Sequence, residues 1–78
     1  MTDELLNRIV IDSRILAGKP IVRGTRISVA QVLGHLAGGW SKAELLQNYP
    51  TLKNEDILAC LAYAHDVIAE EVIVPSAA

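Results

Sequence analysis

The stretch SVAQVLGHLAGGWSKAELLQN, Ser28 to Asn48, decides the fold. Serine is a preferred N-cap, so Ser28 predicts a helix start. Val29, Val32, Leu33, Leu36 and Ala37 then fall at i, i+3, i+4, i+7 and i+8, the stripe of an amphipathic helix packing one face. Gly38-Gly39 predicts its end, because glycine adopts the left-handed conformation that closes helices. SKAE (Ser41 to Glu44) reads as a capping box: Ser41 accepts from the Glu44 N–H while Glu44 reaches back to the Ser41 N–H. Trp40 is placed to staple onto Leu45. The second helix is short and ends near Asn48-Tyr49, since Pro50 disfavours helical geometry at Tyr49.

Toward the C-terminus, TLKNED (Thr51 to Asp56) reads as a turn into a third helix, about Glu55 to Glu70. Lys53 or Asn54 occupies its N-cap, and Asn54 is the better chemical candidate. Glu55 and Asp56 suit the positive end of the helix dipole. The apolar residues from Ile57 to Ala69 cover nearly the whole circumference, the pattern of a helix buried on more than one side. In so small a chain one of those sides is expected to face another copy. Residues 71–78 then read as an extended apolar tail. Its acids and its β-branched run, Glu70, Glu71, Val72, Ile73 and Val74, suit strand addition to a partner.

Toward the N-terminus, RIVID (Arg8 to Asp12) and PIVR (Pro20 to Arg23) are short β-branched runs and predict two strands. Between and after them lies GKPIVRGTRIS, Gly18 to Ser28, with three cations in eleven residues. Gly24-Thr25 suits the centre of a type II′ turn, with Arg23 and Arg26 at its shoulders. The expected architecture is mainly α: a three-helix bundle over 29–70, a short β element and basic loop over 8–28, and the tail at 71–78, all in one domain spanning 1–78.

Size and charge bound the rest. A chain of 78 residues buries a limited share of its surface. Its single cysteine, Cys60, excludes an internal disulfide, and His35 and His65 stand outside any metal-ligand spacing. Oligomerisation is the remaining stabiliser, and the 51% apolar fraction agrees with it. The start MTDELLNR is acidic where a secretory signal is basic, which predicts a cytoplasmic location. No apolar run approaches the ~18 residues that span a bilayer, so no membrane role is expected. Residues 5–53 hold seven cations and two acids, net +5; residues 54–78 hold five acids and no cation, net −5. Such a division points either to two surfaces with different partners or to opposite charges facing each other between protomers.

Catalytic chemistry finds no purchase. Cys60 lies in an apolar stretch with acids as its nearest charges, which raises a thiol pKa. Glu55 and Asp56 are adjacent and so point to different sides of a helix, where a cap or dipole role outweighs acid-base work. GKP and RGTR lack the spacing of a phosphate-binding loop. The reading is a protein without catalytic residues, metal or cofactor.

The runs GKPIVRGTRISV (Gly18 to Val29) and LAGGWSKAELLQNYPTLKNEDILACLAYA (Leu36 to Ala64) resemble the bacterial "domain of unknown function 433" family over roughly residues 9 to 64. Ser28 stands where that pattern has proline, and Lys53 where it has threonine or serine. The resemblance implies a homeodomain-like helix-turn-helix fold. It also implies a VapB-type antitoxin partnered with a PIN-like ribonuclease toxin, and a role on operator DNA. In a helix-turn-helix the third helix enters the major groove, which singles out Lys53 and Asn54 at its start. That helix is otherwise acidic and apolar, and DNA affinity rests on cations meeting phosphates. The basic loop is therefore the better contact, through Arg23 and Arg26 with Lys19 in support. The competing reading holds Arg23 and Arg26 as structural, paired with third-helix acids or with carbonyls. A second function class is a dimeric protein-interaction module, joined through the third helix, with no DNA role.

Overall fold

The β-branched runs form a hairpin. The computed structural model describes residues 3–70. In it β1 (Ile9–Ile11) pairs antiparallel with β2 (Pro20–Val22) in the register Ile9–Val22, Val10–Ile21, Ile11–Pro20. The Arg23 N–H donates to the Arg8 carbonyl at 2.8 Å. Antiparallel pairs alternate, so Arg8–Arg23 and Val10–Ile21 are the hydrogen-bonded pairs. Pro20, which lacks an N–H, therefore falls where the ladder needs none. On its other side the Val22 N–H donates to the Ile27 carbonyl at 2.9 Å, and Ile21 bridges Ser28. β2 is thus flanked on both sides, and β1 is an outer edge.

The loop after β2 differs by one residue from the expected turn. The Thr25 N–H donates to the Val22 carbonyl at 3.0 Å, so the central residues are Arg23 and Gly24 rather than Gly24 and Thr25. Gly24 has φ +78°, at the third position, where a type II turn requires a positive φ. Arg23 is thereby drawn into the turn. Thr25 Oγ1 donates to the Val22 carbonyl at 2.8 Å and accepts from the Ile27 N–H at 3.0 Å, bracing the loop.

Four α-helices are present among the described residues: α1 (Asp3–Leu6), α2 (Val29–Ala37), α3 (Lys42–Asn48) and α4 (Asn54–Glu70). The single turn α1 is additional to the three expected. Ser28 caps α2, its Oγ accepting from the Gln31 N–H at 2.9 Å. Gly39 and Trp40 close α2 as a Schellman motif: their N–H groups donate to the Leu36 and His35 carbonyls at 3.1 and 3.0 Å, with Gly39 at φ +98°. Both bonds of the Ser41–Glu44 capping box form, opening α3.

The start of α4 corrects the cap assignment. Asn54 is already helical, so Lys53 holds the cap position, and the capping side chain is that of Asp56. Asp56 Oδ2 accepts from the Lys53 N–H at 2.9 Å, the returning half of a capping box. A lysine has no acceptor to offer there, and a carboxylate three residues on supplies it.

Ile9 and Val22 from one face of the hairpin join Val29, Val32, Leu45, Leu52, Ile57, Ala59 and Cys60 in the core. Leu45, Ile57, Val32 and Cys60 are fully enclosed. Burying each large aliphatic side chain contributes about 2 kcal/mol. The opposite sheet face buries Ile21 separately, beneath the loops that follow each strand. The hairpin is held against the helices on one face and carries its loops on the other.

Candidate functional site

Two surfaces carry chemistry. The first is a basic end built around one ion pair. Arg8 Nη1 lies 3.1 Å from Asp56 Oδ1, across 48 residues of sequence. The other oxygen of Asp56 holds the Lys53 N–H. Arg23 is tied to the same strand, its N–H on the Arg8 carbonyl and its Nε donating to the Asn7 carbonyl at 2.6 Å. Asn7 directly follows α1, so Arg23 satisfies a carbonyl at that helix's C-terminal end. The fold thus brings Arg23, Lys53 and Asn54 to one end of the molecule, and all three are exposed.

Arg26 is exposed and makes no hydrogen bond or ion pair among the described residues. It lines, with Arg23, Gly24, Thr25, Asp12 and Ser13, an open depression over Val10 and Ile21. That is the sheet face turned away from the core. Of the two loop arginines, then, Arg23 takes a carbonyl and Arg26 takes nothing. The arginine that reaches a third-helix acid is Arg8, which sequence reasoning did not single out. No local pattern marks a partner 48 positions away. Arg14 is also committed, since its Nε and Nη2 grip Asp12 at 3.1 and 3.0 Å and hold that carboxyl below its ordinary range.

Lys19 does not join this group. It precedes β2 at the end opposite Arg23, roughly 13 Å away along extended chain. It borders instead the second surface, an apolar groove formed by Pro20, Val29, Leu33, Tyr63, Val67 and Ile68. Val67 and Ile68 are exposed, at 41% and 64%. Farther up α4, Asn54, Leu58, Leu61 and His65 follow at i, i+4, i+7 and i+11 as one solvent-facing stripe. Glu55 is exposed beside it. Glu70 ends α4, exposed. Glu71, Val72, Ile73 and Val74, with the rest of 71–78, lie outside the described residues.

The remaining polar side chains are locally satisfied. His35 stacks on Trp40 with ring centroids 4.0 Å apart, and its Nε2 lies 3.0 Å from the Tyr49 hydroxyl, which also accepts from Gln31 Nε2 at 2.9 Å. This ties α2 to the end of α3. Burial, and secondarily the Asp56 charge, push the Cys60 thiol up to about 12. Among the described residues no three of His, Cys, Asp and Glu converge as metal ligands, and no helix is long and apolar enough to cross a membrane.

One family description, "Protein of unknown function (DUF433)", matches residues 9–64, from the first strand through most of α4. The chain belongs to this family. A solved DUF433 member from Anabaena variabilis ATCC 29413 has the same architecture: TM-score 0.75 and 27% identity, covering 90% of this chain and 80% of that one. The DUF433 sequence is also similar to the uncharacterized protein y4eO of Sinorhizobium fredii (strain NBRC 101917 / NGR234), 42% identical over 50 residues. That stretch is 64% of this chain and 23% of the relative, so this domain answers to under a quarter of y4eO.

Proposed function

We propose that this DUF433 protein is an antitoxin-like DNA-binding protein of a type II toxin–antitoxin pair. It neutralises a PIN-like ribonuclease in the cytoplasm and represses its own operon. In this reading α3 and α4 occupy the places of a homeodomain-like helix-turn-helix, but DNA is met by the basic end rather than by the length of α4. The observation that carries it is the separation of chemistries: Arg26 is exposed and uncommitted beside Arg23, while the exposed stripe of α4 holds leucines and no cation. Phosphate contact needs cations, and apolar stripes suit protein partners.

A second reading is favoured by Leu58 and Leu61, exposed at 39% and 40% where a recognition helix would carry polar side chains. It is a protein-interaction module, joined through α4, with no DNA role. One pair of experiments separates the two. The chain is co-expressed with the product of the neighbouring reading frame, and the complex and the free protein are tested for a salt-dependent gel shift on the shared promoter. Co-purification with a shift that Arg26→Glu abolishes supports the first reading. Co-purification without any shift leaves the second. Failure of both removes the antitoxin assignment.

A further inference from the structure

The outer edge of β1 carries backbone groups with no partner among the described residues. Because Arg8–Arg23 and Val10–Ile21 are the hydrogen-bonded pairs, the N–H and C=O groups of Ile9 and Ile11 point away from β2. Neither residue's outward groups find a partner among the described residues, and α1 packs on α4 rather than along this edge. The strand carries no proline or bulge to blunt it, and Ile11 is 64% exposed on the same face that buries Ile9. An unprotected edge with an exposed aliphatic side chain is a template for another strand.

The sequence of the edge says which strand fits. Arg8-Ile9-Val10-Ile11-Asp12 carries opposite charges at equal distances on either side of Val10. We propose that β1 is the seam of a homodimer, pairing antiparallel with β1 of a second copy about a two-fold axis at Val10. Hydrogen-bond parity allows three self-pairings, because Ile9 and Ile11 are the residues with outward groups. Setting Ile9 against Ile9 puts Arg8 opposite Val10. Setting Ile11 against Ile11 puts Arg8 opposite Arg14. Setting Ile9 against Ile11 puts Arg8 opposite Asp12 at both ends, with Val10 facing Val10. Opposite charges stabilise cross-strand neighbours and like charges oppose them, so the Val10-centred register prevails. It places exposed Ile11 beside the core residue Ile9 of the second copy and continues one core into the next. The result is a four-stranded sheet in the order β2-β1-β1-β2. Within the chain Arg8 keeps Asp56 and Asp12 keeps Arg14, but the contact of Arg8 Nη2 to Glu4 is a loose 3.8 Å, which leaves that nitrogen for a further acceptor. This seam leaves the exposed stripe of α4 free for a different protein.

Three measurements on the full chain test it. Sedimentation equilibrium is expected to give a dimer. Ile11→Pro removes only an outward N–H, since Ile11 faces Pro20 in a pair that exchanges no hydrogen bond, and it is expected to give a monomer with unchanged circular dichroism. Val10→Cys brings two thiols to Cα atoms about 4.5 Å apart, within disulfide reach, whereas two Ile11→Cys thiols sit beyond it. Rapid oxidative dimerisation of Val10→Cys, with none of Ile11→Cys, supports the register. A monomeric wild type overturns the proposal. So does a dimer in which Val10→Cys crosslinks no faster than Ile11→Cys, whether or not the proline variant folds.

Discussion

Asp56 does two jobs with one carboxylate. Its side chain is 9% exposed, and its oxygens are divided between the Arg8 guanidinium and the Lys53 N–H. Replacing it by alanine leaves a half-buried arginine with only its loose contact to Glu4 and the first turn of α4 uncapped. Asp56→Ala is therefore expected to cost about 3 kcal/mol in chemical denaturation, and Asp56→Asn less, because an amide oxygen still accepts from Lys53. An unmoved midpoint for Asp56→Ala contradicts this account of the α4 start. Cys60 gives a second residue-scale expectation. Its thiol is raised from 9.0 to about 12, so the native state favours the protonated form more than the unfolded chain does. Stability from this group is complete below pH 9 and falls as pH rises from there toward 12. Thiol reagents at mildly alkaline pH are expected to modify Cys60 only after denaturant is added; reaction in the native state contradicts its burial. The burial of Cys60 was legible in the sequence from its apolar neighbours. The partnership of Arg8 and Asp56 was not, because it depends on how the hairpin lands on α4.

At the scale of elements, the legible features were those whose partners lie within a few positions. The Ser41–Glu44 box, the Ser28 cap and the glycine stop of α2 each close over six residues or fewer, so sequence carries their whole geometry. The strands were legible from β-branching, though three residues each proved regular. The turn at Arg23-Gly24 was misplaced by one residue because Gly24 serves either a type II or a type II′ turn, and the choice is made by Val22 reaching Ile27. The cap of α4 was misassigned because local propensity favours asparagine over lysine, while a carboxylate at the third helical position overrode it. These two caps predict opposite outcomes for similar substitutions. Ser41→Ala is expected to destabilise by about 1 kcal/mol. Asn54→Ala, at a first helical position without a capping bond, is expected to stay within about 0.5 kcal/mol of wild type by thermal or chemical denaturation. Equal losses for the two place a capping bond back on Asn54.

For the whole molecule, charge and apolar surface are divided by the fold, and each candidate residue inherits a different test from its place. Seven cations looked like one basic region in sequence. The fold spends Arg8 on Asp56 and Arg14 on Asp12, sends Lys19 to the groove, and leaves Arg26 uncommitted beside Arg23. If the basic end meets phosphates, Arg26→Ala is expected to lower the slope of log affinity against log salt by about 1, while Lys19→Ala leaves it unchanged. Equal losses put both residues on one surface and refute the division. The stripe of α4 supplies the complementary expectation. Leu58 and Leu61 are exposed, yet the core is closed behind them by Ile57 and Cys60, so lysines at both positions are expected to leave the fold intact. A recognition helix given two cations would bind DNA more tightly, because each new charge displaces counterions. A protein-docking helix would lose its partner, because two ammonium groups cannot be desolvated in an apolar contact without compensation. The proposed function expects the second result: Leu58→Lys with Leu61→Lys should abolish co-purification of the nuclease while the gel shift of the free protein stays within a few-fold. A tightened shift with the nuclease still bound would return α4 to the major groove and dismiss the basic end as the DNA contact.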